Sequence, residues 1–222
     1  MLLFLAVFFL YSAAGPGNLP GDTEVRWSVS RQLLRHGTVA LEDSQQTRNC
    51  AVGVDGRRYT FYGLGQSVCL LPFAGFGLLL ERFTSCSPEK ADLLAQFLAS
   101  IVLFPLLGAL LVWVFYRLIV LLGGSERAAV LTAMLLAFAT MTFHYAVITQ
   151  EQTQIALFLL AAVWFMVKNQ RQSRFLYAWL SCLMLGMAIF FRLPAVLAAI
   201  PIFLSAMIAE WFTVKEGGTA VV

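Results

Sequence analysis

Four charged side chains stand where an apolar chain changes direction, and their types suit proton transfer and anion binding. Asp22 opens an amphipathic segment, "GDTEVRWSVSRQLLRHG", soon after the first apolar run, with Glu24 close behind it. Glu151 lies in the short linker "ITQEQ", and Arg192 alone separates two long apolar runs. A carboxylate within hydrogen-bond reach of a hydroxyl can take its proton as that oxygen attacks. A planar guanidinium grips phosphate through paired N–H groups. Each residue also has a plain structural role: Asp22 as a helix N-cap, Glu24 as a first-turn charge on the helix dipole, Glu151 as a solvated loop charge, and Arg192 as a cation snorkelling to a lipid interface.

A wider set surrounds these. Arg57, Arg58 and Lys90 are weaker phosphate candidates, since basic residues gather at lipid surfaces for electrostatic reasons alone. Tyr59, Tyr62 and Gln66, in "RRYTFYGLGQS", suit a sugar or acceptor groove, although hairpins and interfaces collect aromatics without any ligand. His144 and Tyr145 close an apolar run. Glu42 and Asp43 read as loop acids, and Gly63 and Gly65 as the residues that permit a turn from hairpin to helix.

The elements that must position these groups belong to a membrane protein. The chain is 60% hydrophobic and 12% charged with a mean hydropathy of +0.80, far from the roughly 25% charge of soluble domains. A bilayer core takes about 20 apolar residues per helix. The expected fold is an all-α polytopic membrane protein with about six transmembrane helices: 1–14, 91–122 with a kink at Pro105, 128–145, 152–167, 175–191 and 193–211. The basic linkers "GGSER" and "KNQRQSR" place those loops in the cytoplasm. Residues 15–90 then form an extracytoplasmic segment, 91–211 a five-helix region, and 212–222 a cytoplasmic tail or a point of truncation.

The outer segment has soluble-protein patterning. Val25, Val29 and Leu33 recur at helical spacing, Asp22 or Thr23 can cap the start, and Gly37 can end the helix. Asp55-Gly56 sits between two β-rich runs, a hairpin signal. The apolar stretch "LGQSVCLLPFAGFGLLLERF" reads as a second interfacial or re-entrant helix, because a span there would put the next loops on the wrong sides. The result is an outer-face platform of interfacial helices and a small β-hairpin. Cys50, Cys69 and Cys86 would face an oxidising compartment, where one disulfide and a set of unpaired thiols are both compatible with the spacing; Cys182 lies in a span. There is no Walker loop, GxGxxG or HExxH, which disfavours a nucleotide-dependent enzyme or zinc hydrolase. The net charge of +3 identifies no partner, and no nucleic-acid role is expected.

The order of a first span, an outer loop beginning "GD", a helix ending "LLRHGTVAL", an aromatic "RRYTFYGLGQS", then "LLPFAGFG", and later "GMAIFFRLPAVLAAIPIFL", resembles the GT-C membrane glycosyltransferases. It is similar to their bacterial branch of protein mannosyltransferases and aminoarabinose transferases, as an amino-terminal portion or a reduced relative. The resemblance implies transfer of a sugar from a polyprenyl-phosphate carrier to an unidentified acceptor at the outer face of a bacterial inner (plasma) membrane. It implies that Asp22, matching the family's outer-loop acid, is the catalytic base or a ligand of a metal or of the acceptor, with Glu24 and Glu151 as further acids. A divalent cation is left open as cofactor. Arg192, Arg58 and Lys90 would then face the donor phosphate, and Tyr59, Tyr62, Gln66 and His144 the substrate. Two rivals are a transporter or channel fragment, disfavoured because mid-span ionisable residues are absent, and a non-catalytic scaffold or fragment of the same framework.

Overall fold

The structure, a computed structural model, describes residues 1–15, 17–19, 21–41, 50–84 and 87–215. Glu42, Asp43, Cys86 and the tail beyond Lys215 lie outside the described residues. The helices are α1 (Leu2–Ala14), α2 (Asp22–His36), α3 (Gly65–Phe83), α4 (Pro88–Leu98), α5 (Phe104–Leu121), α6 (Glu126–Phe138), α7 (Met141–Val147), α8 (Gln152–Gln172), α9 (Phe175–Phe191) and α10 (Val196–Lys215). Strands β1 (Cys50–Val52) and β2 (Arg58–Thr60) pair antiparallel, with Ala51 opposite Tyr59. Among the described residues the fold is thus mainly α-helical with one small hairpin. Gly53 N donates to the Arg57 carbonyl and Gly56 takes φ 78°, so Asp55-Gly56 closes a three-residue loop rather than a two-residue turn.

Among the described residues one helical run, Pro88–Leu121, is long and apolar enough to cross a bilayer. It joins α4 to α5 through a π-helical segment, Ala99–Leu103. The kink expected at Pro105 is absorbed there: the proline offers no N–H to the Ile101 carbonyl and crowds it, and a widened turn accommodates both defects. The span expected over 128–145 is instead broken, with α6 and α7 bent by 57°. Thr140 caps α7 through a hydrogen bond from Thr142 N, and the Tyr11 hydroxyl donates to the Ala137 carbonyl at 2.7 Å. The fourth run extends past its apolar part to Gln172, because "KNQRQ" continues the helix until Ser173 turns left-handed. The fifth matches its apolar run residue for residue. Leu193–Ala195 forms a single 3-10 turn before α10.

Small side chains let the helices approach. Val7 and Tyr11 of α1 pack with Ala109, Val112, Ala133, Ala137 and Ala146. Leu111 and Val114 of α5 meet Leu157 and Ala161 of α8. Ala162, Leu185 and Ala199 join α8 to α9 and α10. Such alanine-rich contacts are the usual packing between helices in lipid.

Helices α2 and α3 and the hairpin pack on this framework. Val25 and Val29 are buried with Leu41 against Val39, Cys50 and Tyr62, so their stripe rests on the hairpin. Leu33 is half-buried. The amphipathic reading of α2 is too simple, however, because Thr23, Arg26, Trp27, Ser30 and Gln32 are buried as well. Its other faces are covered by α3 and α4: Trp27 Nε1 donates to Asp92 at 3.0 Å, and Arg31 reaches Glu81 at 3.1 Å and Asp92 at 2.9 Å. Neither Asp22 nor Thr23 caps the helix. Gly21, at φ 60°, takes the N-cap position and starts the helix one residue earlier. Gly37, at φ 65°, ends it as expected. Cys69 and Cys182 are free thiols.

Candidate functional site

Three element ends converge: the first turn of α2, the linker before α8, and the step between α9 and α10. Arg26 of α2 donates to a Glu151 oxygen in an ion pair almost sealed from solvent. The other Glu151 oxygen lies 3.4 Å from Arg192, whose side chain is half exposed. The Arg26 guanidinium also lies over the Tyr62 ring, 4.1 Å from its centre, a favourable cation–π geometry. Tyr62 donates its hydroxyl to Asp22, which is half-buried at the start of the same helix. Two carboxylates and two guanidiniums therefore share one neighbourhood and balance in charge.

Local structure explains the placement. Asp22 and Arg26 are four residues apart on α2 and lie on one face. Glu151 is held by the turn before α8, in which Thr149 adopts φ 61°. A left-handed β-branched residue is strained and persists only where its surroundings fix it. Here its carbonyl accepts from Thr23 Oγ1 at 2.8 Å and from Gln66 Nε2 at 2.9 Å. Arg192 is positioned from above: a Cβ on Gly63 would lie 2.2 Å from the Phe191 carbonyl oxygen, and one on Gly65 would lie 2.4 Å from the Phe191 ring. Close approach, not turn freedom, requires these glycines, since neither takes a positive φ.

The electrostatics follow from burial. Desolvation pushes the Glu151 carboxyl up from its ordinary range, opposed by Arg26 and then Arg192, with Asp22 adding to the rise. Desolvation lowers Arg26, against Glu151 and Asp22, but a guanidinium stays charged at physiological pH. Tyr62 is pushed up to about 12, first by burial and then by its hydrogen bond to Asp22, so it remains a donor.

Of the residues singled out from sequence, Asp22, Tyr62, Gln66, Glu151 and Arg192 come together. The others do not. Glu24 is exposed, about 200° round the helix from Asp22. Tyr59 donates to Asp55 at 2.7 Å at the hairpin tip. Arg57 and Arg58 line a separate open groove of about 530 Å³ with His36 and Thr38. Lys90 is exposed on α4, two residues from Asp92, whose partners on α2 are Trp27 and Arg31 and not the Asp22 end. His144 is exposed, its ring beside Tyr145. Arg26, which the sequence reading passes over, is the centre of the cluster. Its spacing from Asp22 was the available signal.

Among the described residues no three His, Cys, Asp or Glu side chains converge as a metal would need. Each cluster carboxylate already faces a guanidinium or a phenol, a donor set that does not suit a divalent cation. The arrangement can accept a proton at Asp22 and hold an anion at Arg192.

Residues 93–220, which include Glu151 and Arg192, match the family model described as dolichyl-phosphate-mannose-protein mannosyltransferase. Asp22, Arg26 and Tyr62 precede the matched region. No curated protein and no solved structure matches the chain.

Proposed function

We propose, from the premise that the chain belongs to the dolichyl-phosphate-mannose-protein mannosyltransferase family, that it moves a sugar from a polyprenyl-phosphate carrier to an acceptor hydroxyl at the extracytoplasmic face. Membership makes it a membrane glycosyltransferase of the GT-C type. About six helices cross the bilayer in this reading, with the broken pair α6–α7 counted once and α1, α9 and α10 as short spans. The charge asymmetry between the linkers supports the orientation.

The acceptor oxygen attacks the anomeric carbon while the bond from that carbon to the phosphate oxygen breaks. Asp22 takes the hydroxyl proton. The leaving polyprenyl phosphate gains charge, and Arg192 stabilises it. Glu151 holds Arg192 in place and is itself locked by Arg26, so it is a positioning residue rather than the base. The observation that carries this reading is the meeting of Asp22, Arg26, Glu151 and Arg192 at one end of the bundle.

The test is transfer of labelled sugar by the full native chain in nanodiscs, from short-chain polyprenyl-phosphate monosaccharides to a peptide or lipid acceptor pool. Turnover lost in Arg192→Leu supports the reading. A wild-type protein that binds these donors but transfers nothing supports a non-catalytic scaffold instead.

A further inference from the structure

Gln154 is fully sealed from solvent, yet neither its amide nitrogen nor its amide oxygen has a partner. Oε1 of Gln66 and Oγ1 of Thr149, on residues equally sealed, are also without partners. The residues beside these groups are linked by contacts among the same elements. Gln66 Nε2 reaches the Thr149 carbonyl at 2.9 Å. Gln154 lies one turn beyond Glu151 on the same face of α8. Phe158, next along that face, meets the Phe191 ring at 5.2 Å, and Gly65, beside Gln66, packs on that same ring.

Buried polar groups are nearly always paired. These three side chains are uncharged and mix donors with acceptors, and the buried Nε and Nη1 of Arg26 are unpaired beside them, so their complement is a molecule rich in hydroxyls with acceptors to spare. We infer that Gln154, Gln66 and Thr149 form the subsite that reads the hydroxyls of the donor's sugar ring, with Gln154 as the specificity-determining residue. The inference rests on transfer from a lipid-linked sugar as proposed above. An anomeric carbon bonded to a phosphate at Arg192 and facing Asp22 lies beside Glu151, and its ring then extends toward Gln154. The 3.4 Å contact of half-exposed Arg192 with Glu151 is the looser of the two ion pairs at Glu151 and opens to admit it. The acceptor approaches from the wetter side, at Asp22.

The test uses Gln154→Met, which keeps side-chain length and removes both amide groups. The full native chain in nanodiscs is titrated with a short-chain polyprenyl phosphate, bare and carrying mannose, glucose or galactose, and melting temperature is followed. The wild type should bind one sugar-bearing lipid about 10-fold or more tighter than the bare lipid. Gln154→Met should melt like the wild type without ligand, bind the bare lipid equally well and lose that preference. If Gln154→Met fails to fold, Gln154→Asn, which withdraws the amide by one methylene, should lose it. A preference that survives in the folded variant means that ordered water alone fills the subsite, and overturns the inference. A wild type that binds bare and sugar-bearing lipids alike also overturns it, while leaving the phosphate role of Arg192 standing. A wild type that binds none removes the donor reading and this inference together.

Discussion

Arg26 and Glu151 are 125 residues apart in sequence and meet side by side, with side chains exposed to 1% and 4%. Two charges this dry are tolerated only in each other's company, and removing one partner of such a pair costs about 3–5 kcal/mol. The pair therefore latches α2 to the start of α8. It also occupies one Glu151 oxygen and leaves the other for Arg192. The position of the exposed guanidinium thus depends on a buried one it does not touch.

Donor affinity should fall on the acid side, with a limb above the ordinary glutamate range. Glu151 has its folded value raised by burial. As a folding term, that contribution is present below the unfolded value of 4.5 and lost as pH rises through the folded value. The contact with Arg192 runs the other way, forming only once the proton has left. Arg26→Gln removes the larger opposing influence, so its limb should move to higher pH. Titration of bare polyprenyl phosphate against pH checks this; coincident limbs in wild type and variant would count against it.

Asp22 and Arg192 should fail differently. Asp22→Asn keeps shape and hydrogen bonding but cannot take the proton, so kcat should drop by about 10²-fold or more with donor binding little changed. Arg192→Leu should raise the donor Kd. Steady-state transfer combined with direct lipid binding separates the two, and wild-type turnover in Asp22→Asn would remove the claim that it is the base.

Much of the framework was legible because it is local. Arg174 and Arg192 bracket the apolar run that became α9, Gly37 announces the end of α2, and Asp55-Gly56 marks the hairpin. The break between α6 and α7 was hidden because residues 128–145 read as one apolar run. What divides them is a threonine cap and a carbonyl that Tyr11 engages from 126 residues away. The site was legible in part for the same reason. Asp22, Glu151 and Arg192 stand out at the ends of apolar runs, whereas the burial of Arg26 and Gln154 depends on neighbours far off in the chain. Arg58, Lys90 and Tyr59 carry suitable chemistry, but the hairpin and α4 point them elsewhere.

Orientation can be read with single cysteines in a variant lacking Cys50, Cys69, Cys86 and Cys182. Val54→Cys, at the fully exposed hairpin tip, should react with an impermeant maleimide in intact cells. Ser173→Cys, in the left-handed turn between α8 and α9, should react only after permeabilisation. The opposite pattern would invert the topology and with it the face of the site.

The contact between Gly63 and the end of α9, next to Arg192, can be tested by adding a single methyl. A Cβ at Gly63 would stand 2.2 Å from the Phe191 carbonyl oxygen and 2.7 Å from that of Phe190. Both are backbone atoms at the end of α9, so the strain cannot be relieved by a side-chain rotation and must move the segment or the helix end. Gly63→Ala should therefore cost about 1–3 kcal/mol and displace Arg192 from Glu151, weakening bare polyprenyl phosphate binding as Arg192→Leu does. Gly186→Ala is the control on the same helix, since a Cβ there meets nothing within 4 Å. It should hold or raise stability by up to about 1 kcal/mol through helix propensity. Melting curves and lipid titrations of the two variants decide the matter. Gly63→Ala with wild-type melting and full donor affinity would mean that the Gly63 contact does not set the position of Arg192.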